Sequence, residues 1–278
     1  MRRPFAWKGS PLPATDAASV DDQARLVAAV REAGAIALKS YRQEFKSWIK
    51  HGDSPVSEVD IAVNDLLRTR LVTSQDDGWL SEESENDPSR LTKRRVWVVD
   101  PIDGTRAFIA GREDWSISAA LVENGRPTLA VLFAPVTDEL FVATRGGGAT
   151  RNSAPITVKP GAKMDGARLA GPRRLLEAVS ELHPELVIVP RIHSLALRLV
   201  RVAEGAIDAA IAGGNSHDWD LAAADLLVHE AGGVLTSREG APLIYNRINP
   251  VHGVLLATGP DRHSALLELV RAQYESPA

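Results

Sequence analysis

Apolar residues at Leu26, Val30, Ala33, Ala37 and Tyr41 recur at three- and four-residue intervals, which predicts an amphipathic helix over about residues 20–41. Val59, Val63, Leu66 and Leu71 form a second such stripe and predict a helix over 57–72. A polar loop, Lys50-His51-Gly52-Asp53-Ser54-Pro55, separates the two, and residues 1–15, with three prolines, read as a loose arm. The pattern then shortens. Apolar runs at 96–99, 116–122, 129–133 and 139–143 predict strands, with Glu123-Asn124-Gly125-Arg126 as a hairpin turn. Gly146-Gly147-Gly148 reads as another turn, because no GxxxxGK follows to make it a phosphate loop.

Strands and helices alternate in the second half. Strands are expected at 187–189, 207–211 and 253–257, and helices at 194–204, 218–231 and 262–274. Gly232-Gly233 supplies C-cap glycines. Strands before about Lys159 are expected to be antiparallel. Together these patterns give an α/β (α+β) class, with halves 1–159 and 160–278 forming one compact unit around a shared cleft.

A chain of 278 residues can bury a substantial core, and a formal charge of -4 argues against a general binder of nucleic acid or membrane surfaces. The absence of cysteine excludes disulfides and thiolate metal sites, and the seven histidines show no short paired spacing suited to zinc. No apolar run approaches the ~18 residues of a membrane span, and residues 1–9 lack a signal-peptide core. A cytoplasmic enzyme acting on a small metabolite is the expectation.

The chemistry concentrates at Trp97-Val98-Val99-Asp100-Pro101-Ile102-Asp103-Gly104-Thr105. An apolar strand delivers Asp100 to its end, Pro101 interrupts pairing, and the turn lets Asp103 point into the same space. Two carboxylates and the Ile102 carbonyl are hard oxygen ligands of the kind Mg²⁺ takes. Gly104 permits close backbone approach, and Thr105 opens a short helix whose N–H groups suit phosphate. The plain alternative is a turn in which Asp103 and Thr105 cap the local backbone. Four further acids invite the same double reading. Glu82 and Glu83 follow Trp79-Leu80, Asp220 lies in the first turn of an alanine-rich helix beside Trp219, and Asp60 lies within the second apolar stripe. Surface solvation or a favourable helix dipole would account for each singly. If Glu82, Asp100, Asp103 and Asp220 converge, they cannot all stay ionised without cations between them.

Asp100-Pro-Ile-Asp-Gly-Thr105, with Ser81-Glu-Glu83 upstream and Trp219-Asp220 followed by Glu230-Ala-Gly-Gly233 downstream, resembles the inositol monophosphatase superfamily over about residues 20–260. The resemblance implies a layered αβαβα sandwich and Mg²⁺-dependent, Li⁺-sensitive phosphomonoester hydrolysis by in-line attack of water. Carried over by position, Glu82, Asp100 and the Ile102 carbonyl hold one ion, and Asp100, Asp103 and Asp220 hold a second. Glu82 also leans on a weaker third. Asp60 and Thr105 match the water-activating pair, Glu82 is counted among the catalytic residues, and Glu83 matches the second of the paired glutamates. The phosphate rests on Gly104 and Thr105, and His193, Ser194 and Asp220 lie on the substrate side. Family members are often dimers, so a homodimer is one expectation. No nucleic-acid polymer or membrane partner is implied.

Within the superfamily, the stretch from Lys50 to Asp60, Ser81-Glu82-Glu83 and Gly104-Thr105-Arg106-Ala107-Phe108-Ile109 are most similar to bacterial 3'(2'),5'-bisphosphate nucleotidases. Inositol monophosphatases place a glutamate seven residues before the last metal aspartate, where this sequence has Gly213. Gly111 and His217 keep an inositol-phosphatase character. Histidinol-phosphate phosphatases can share the Gly104 to Ile109 stretch but often lack the tryptophan before the aspartate. A bisphosphate nucleotide is therefore expected as substrate, with inositol monophosphate as the alternative and histidinol phosphate less favoured. Lys50, Arg106, Arg191 and His193 are the candidate cations for a second phosphate. A catalytically silent binding protein would be expected to have lost one of Glu82, Asp100, Asp103, Thr105 or Asp220, and all are present.

Overall fold

The computed structural model describes residues 20–50 and 54–275. The arm expected at 1–15 and the His51-Gly52-Asp53 part of the polar loop lie outside the described residues. The chain opens with helix α1 (Val20–Ser40), a hairpin of β1 (Ser47–Ile49) and β2 (Pro55–Ser57), and α2 (Glu58–Leu71). Then come β3 (Asp77–Ser81), β4 (Arg95–Asp103), α3 (Thr105–Ile109), β5 (Ser116–Glu123), β6 (Arg126–Ala134), β7 (Glu139–Thr144), β8 (Gly148–Arg151) and β9 (Ala154–Pro155). The second half comprises β10 (Arg168–Ala170), α4 (Arg173–Leu182), β11 (Val187–Ile188), α5 (Leu195–Ala203), β12 (Ala209–Ala212), β13 (Ser216–His217) and α6 (Asp218–Glu230). It closes with β14 (Val234–Ser237), β15 (Val251–His252), β16 (Leu255–Thr258) and α7 (His263–Glu275).

Strand alternation builds the layers. In β4, Trp97 and Val99 face a core shared with α1 and α2, while Val96 and Val98 face the opposite way, toward α5 and α6. The seven-stranded sheet runs β3-β4-β5-β6-β7-β8-β9. It is antiparallel except for β3 and β4, which pair in parallel, contrary to the sequence expectation. The intervening segment, with a 3₁₀ turn at Pro88–Thr92, carries the chain back so that both strands run the same way.

The second sheet runs β11-β10-β12-β16-β14 and is mixed, with β10 parallel to β11 and β12. Helices α5 and α6 lie between the two sheets, and α4 and α7 cover the outer face of the second through Leu176, Val179, Leu266 and Val270. The result is a five-layer αβαβα sandwich. Because α6 is sealed on both sides, Leu221 to Ala224 and Leu226 to Val228 are all buried, and the helix shows no polar face.

Several expectations needed adjustment. The inward stripe of α2 runs through Val59, Val63, Leu67 and Leu71, while Leu66 is only partly buried. Strands β10 and β14 and helix α4 were not foreseen in the sequence. The triglycine segment is a turn. Gly146 N and Gly148 N donate to the Glu230 carboxylate at 2.8 and 2.9 Å, so this segment's backbone donors serve the fold. Among the described residues no helix is long and apolar enough to cross a membrane.

Candidate active site

Residues three apart in a regular strand lie on opposite faces. In β4 the pairing with β5 runs regularly to Asp100↔Ser118, then breaks and resumes at Asp103↔Ser116. This bulge at Pro101-Ile102 turns Ile102 into the α1–α2 core and lets the Asp100 and Asp103 carboxylates share one space. The expected strand end at Val99 is thus a distorted continuation of the strand. Asp220, at the third position of α6, completes the group: one oxygen from each of Asp100, Asp103 and Asp220 lies within 4.8 Å of the others.

Each carboxylate is held differently. Asp103 accepts from Ser194 Oγ at 2.6 Å, Leu195 N at 3.1 Å and Ala196 N at 2.6 Å, all at the start of α5. Asp220 accepts from His217 N at 2.6 Å. Asp100 is buried, and its Oδ1 has no hydrogen-bond partner. Burial, then the charges of Glu82, Asp103 and Asp220, hold the Asp100 carboxyl well above the usual range. Burial and Asp103 do the same to Asp220. Burial pushes Asp103 up to about 6, against the pull of its three donors. An orphaned, buried oxygen facing two more carboxylates fits a divalent cation with oxygen ligands.

Beside this group lies a second pair. Thr105 Oγ1 is 3.2 Å from Asp60 Oδ1 and 3.0 Å from the Ile102 carbonyl. The carbonyl expected to be free therefore already faces one hydroxyl, with a second lone pair remaining. Asp60 closes a capping box on α2, accepting from Ser57 N at 2.9 Å and Ser57 Oγ at 2.5 Å. Burial raises its carboxyl to about 6 even so.

Glu82 does not join the three-carboxylate group. Its Oε1 lies 3.1 Å from Lys50 Nζ, and the same ammonium is 2.5 Å from Glu83 Oε1. The Glu83 side chain is 3% exposed and that of Glu82 21%, so Glu83 is not a solvated surface acid. Burial raises Glu83 to about 7, opposed by Lys50. Lys50, a candidate for a second phosphate, is thus committed to these two glutamates.

The substrate side also differs from expectation. Ser194 is fully buried and caps α5, accepting from Leu197 N at 2.9 Å, while its own proton goes to Asp103. Its hydroxyl supports Asp103. His193 is pinned by its backbone N and Nδ1 to Asp114 Oδ2, at 2.8 and 2.6 Å. Asp114 and the buried Ser116, whose hydroxyl is 2.9 Å from Ser194 Oγ, were not foreseen, since neither belongs to a motif. His217 stacks on Trp219 at 4.4 Å. At Gly213 a Cβ would meet only Pro172, at 3.5 Å, so the position is roomy and carries no acid.

Gly104, with φ +97°, turns the chain from β4 into α3. A Cβ there would lie 3.2 Å from Ser194 N and 3.3 Å from the Asp114 carbonyl, both backbone atoms. Gly104→Ala is expected to cost about 1–3 kcal/mol of stability and to lower turnover by shifting Asp103. Calorimetry showing an unchanged melting temperature would refute the close fit.

Residues 18–275 match the inositol monophosphatase family profile. The chain belongs to that family. Members are metal-dependent phosphomonoester hydrolases acting on small phosphorylated compounds, and this inositol monophosphatase family protein is a phosphomonoester hydrolase. It is 34% identical over 245 residues to a histidinol-phosphatase of Mycobacterium tuberculosis, covering 79% of this chain and 85% of that protein. It is 33% identical over 197 residues to a 3'-phosphoadenosine 5'-phosphate phosphatase of Mycobacterium bovis, covering 69% and 72%. The Thermotoga maritima IMPase structure has the same fold, with a TM-score of 0.82 at 24% identity over 92% of this chain and 99% of that one.

Proposed function

We propose that this family member is a Mg²⁺-dependent, Li⁺-sensitive phosphatase whose preferred substrate is a 3'(2'),5'-bisphosphate nucleotide. The observation that carries the catalytic part is the meeting of Asp100, Asp103 and Asp220 beside the Asp60–Thr105 pair. Asp100, Asp103 and Asp220 would hold one Mg²⁺, and Glu82, Asp100 and the Ile102 carbonyl a second, with Glu82 also beside a weaker third. The bound ions supply positive charge and acidify water. Thr105 Oγ1 relays the attacking water's proton to Asp60, whose carboxyl burial raises to about 6. The N–H groups of Gly104 and Thr105 receive phosphate oxygens. Water then displaces the ester oxygen from phosphorus in line, its own proton passing to Asp60, and the leaving oxygen takes a proton from solvent water.

The nucleotide reading is supported by the open, acid-free position at Gly213, by the motif stretches from Lys50 to Asp60 and Gly104 to Ile109, and by the similarity to the M. bovis phosphatase. Similarity to the M. tuberculosis histidinol-phosphatase favours histidinol phosphate as a second reading. Phosphate release from 3'-phosphoadenosine 5'-phosphate, histidinol phosphate and inositol 1-phosphate separates them. The expected kcat/KM preference for the bisphosphate is about a hundredfold, about 2.7 kcal/mol of differential transition-state binding. A comparable preference for either of the others would reassign the substrate.

A further inference from the structure

We infer that an oxyanion site, taking the phosphate or sulfate group of a small molecule, lies beside the catalytic cluster in a cavity walled by Arg112, Arg168 and Arg191. The cavity has a volume of about 380 Å³, with Val189, Pro190 and Ile207 as its apolar lining. That volume lies in the range of small-ligand pockets.

Five charged side chains line this cavity, and two of them are already matched. Arg201 is spent on Glu139 and Glu204, each at 2.6 Å, and Asp114 on His193 at 2.6 Å. Arg168 uses Nη1 on the Ala206 carbonyl. Arg112 reaches Asp114 only through Nε, at 3.4 Å. Arg191 makes no hydrogen bond or ion pair among the described residues. Three guanidinium groups thus face one cavity with donors to spare, and a tetrahedral oxyanion is the ligand whose geometry they match.

One lining residue of this cavity, Asp114, is linked by hydrogen bonds to the catalytic cluster. The Asp114 carbonyl accepts from Ser194 N at 3.1 Å, and Ser194 Oγ donates to Asp103 at 2.6 Å. Two sources can supply the anion: a second phosphate on the substrate itself, which rests on the bisphosphate reading, or a separate phosphate-bearing molecule.

The test uses the full chain in EDTA, where an anion gains no help from bound cations at the carboxylates. Inorganic sulfate is titrated by calorimetry, with ionic strength held constant by chloride. Saturable binding is expected for the wild type, weakened at least about tenfold in the Arg168→Gln/Arg191→Gln double variant. Both side chains are exposed, so the variant should fold, which circular dichroism verifies. Equal sulfate binding by the double variant, or none by the wild type, would overturn the site. Given lost sulfate binding, the KM for 3'-phosphoadenosine 5'-phosphate relative to p-nitrophenyl phosphate names the source. A ratio raised about tenfold assigns the site to the substrate's own second phosphate, and an unchanged ratio to a separate anion. Should the wild type hydrolyse no phosphomonoester, the proposed function fails while the calorimetry still reads the cavity.

Discussion

Asp100→Asn is expected to lower kcat by about a hundredfold or more and, in EDTA, to raise the melting temperature. Both effects come from one observation. The Asp100 carboxylate is 1% exposed, has an unpartnered oxygen, and is crowded by the charges of Glu82, Asp103 and Asp220. Without cations its ionisation works against the fold. Asparagine keeps the shape, removes the charge, and offers an N–H₂ to the neighbouring carboxylates. For a chain of this size each kcal/mol regained is worth about 2–4 °C. Asp103 is a poorer place for the same experiment, because its carboxylate also receives three donors from α5. Near-normal turnover in Asp100→Asn would remove Asp100 from the site. Lost turnover with a lowered melting temperature in EDTA would make its role structural.

The second large effect is on the pH dependence of the metal-free protein. Burial raises Asp60 and Asp103 to about 6 and Glu83 to about 7, and holds Asp100 and Asp220 well above the usual carboxylate range, whereas in the unfolded chain such carboxyls titrate near 4. Between those values the native state binds more protons than the unfolded state, so stability falls as pH rises. His229 acts in the same direction. Burial opposes its charge but Asp225 outweighs it, raising His229 to about 9, so its contribution is lost as pH rises from about 6.5 toward 9. Mg²⁺ separates the two effects, since cation binding requires the carboxylates deprotonated. The melting-temperature difference between MgCl₂ and EDTA should therefore widen steadily from pH 5 to pH 8. A constant difference would mean that the raised carboxylates are not the cation ligands.

Much of this site was legible in the sequence, for reasons that also mark the limit. The Asp100 to Thr105 run announces itself because a proline and a glycine flank two acids at the end of an apolar strand. Helix α1 was readable because only one side is buried. Strands β10 and β14 have three and four residues, too few for a period to emerge, and α4 buries only Leu176 and Val179. The commitment of Lys50 to Glu82 and Glu83 and the capping of Asp103 by α5 join segments 32 and about 90 residues apart, which no local pattern reports.

The mounting of the proposed metal-binding carboxylates and of the proposed substrate-side residues has a bearing on how such a protein changes over generations. Asp100, Asp103 and Asp220 grow from a sheet strand and a helix sealed between two sheets, where almost any enlargement is felt by the whole interior. Arg112, Arg191 and Gly213 sit outside helices and strands, where exchange costs little. A lineage built this way can try new leaving groups by ordinary surface drift while the bond-breaking apparatus is inherited intact. Two relatives about one-third identical to this chain bear the names of phosphatases for an amino alcohol and for a nucleotide, which is the kind of divergence that such a division of labour permits.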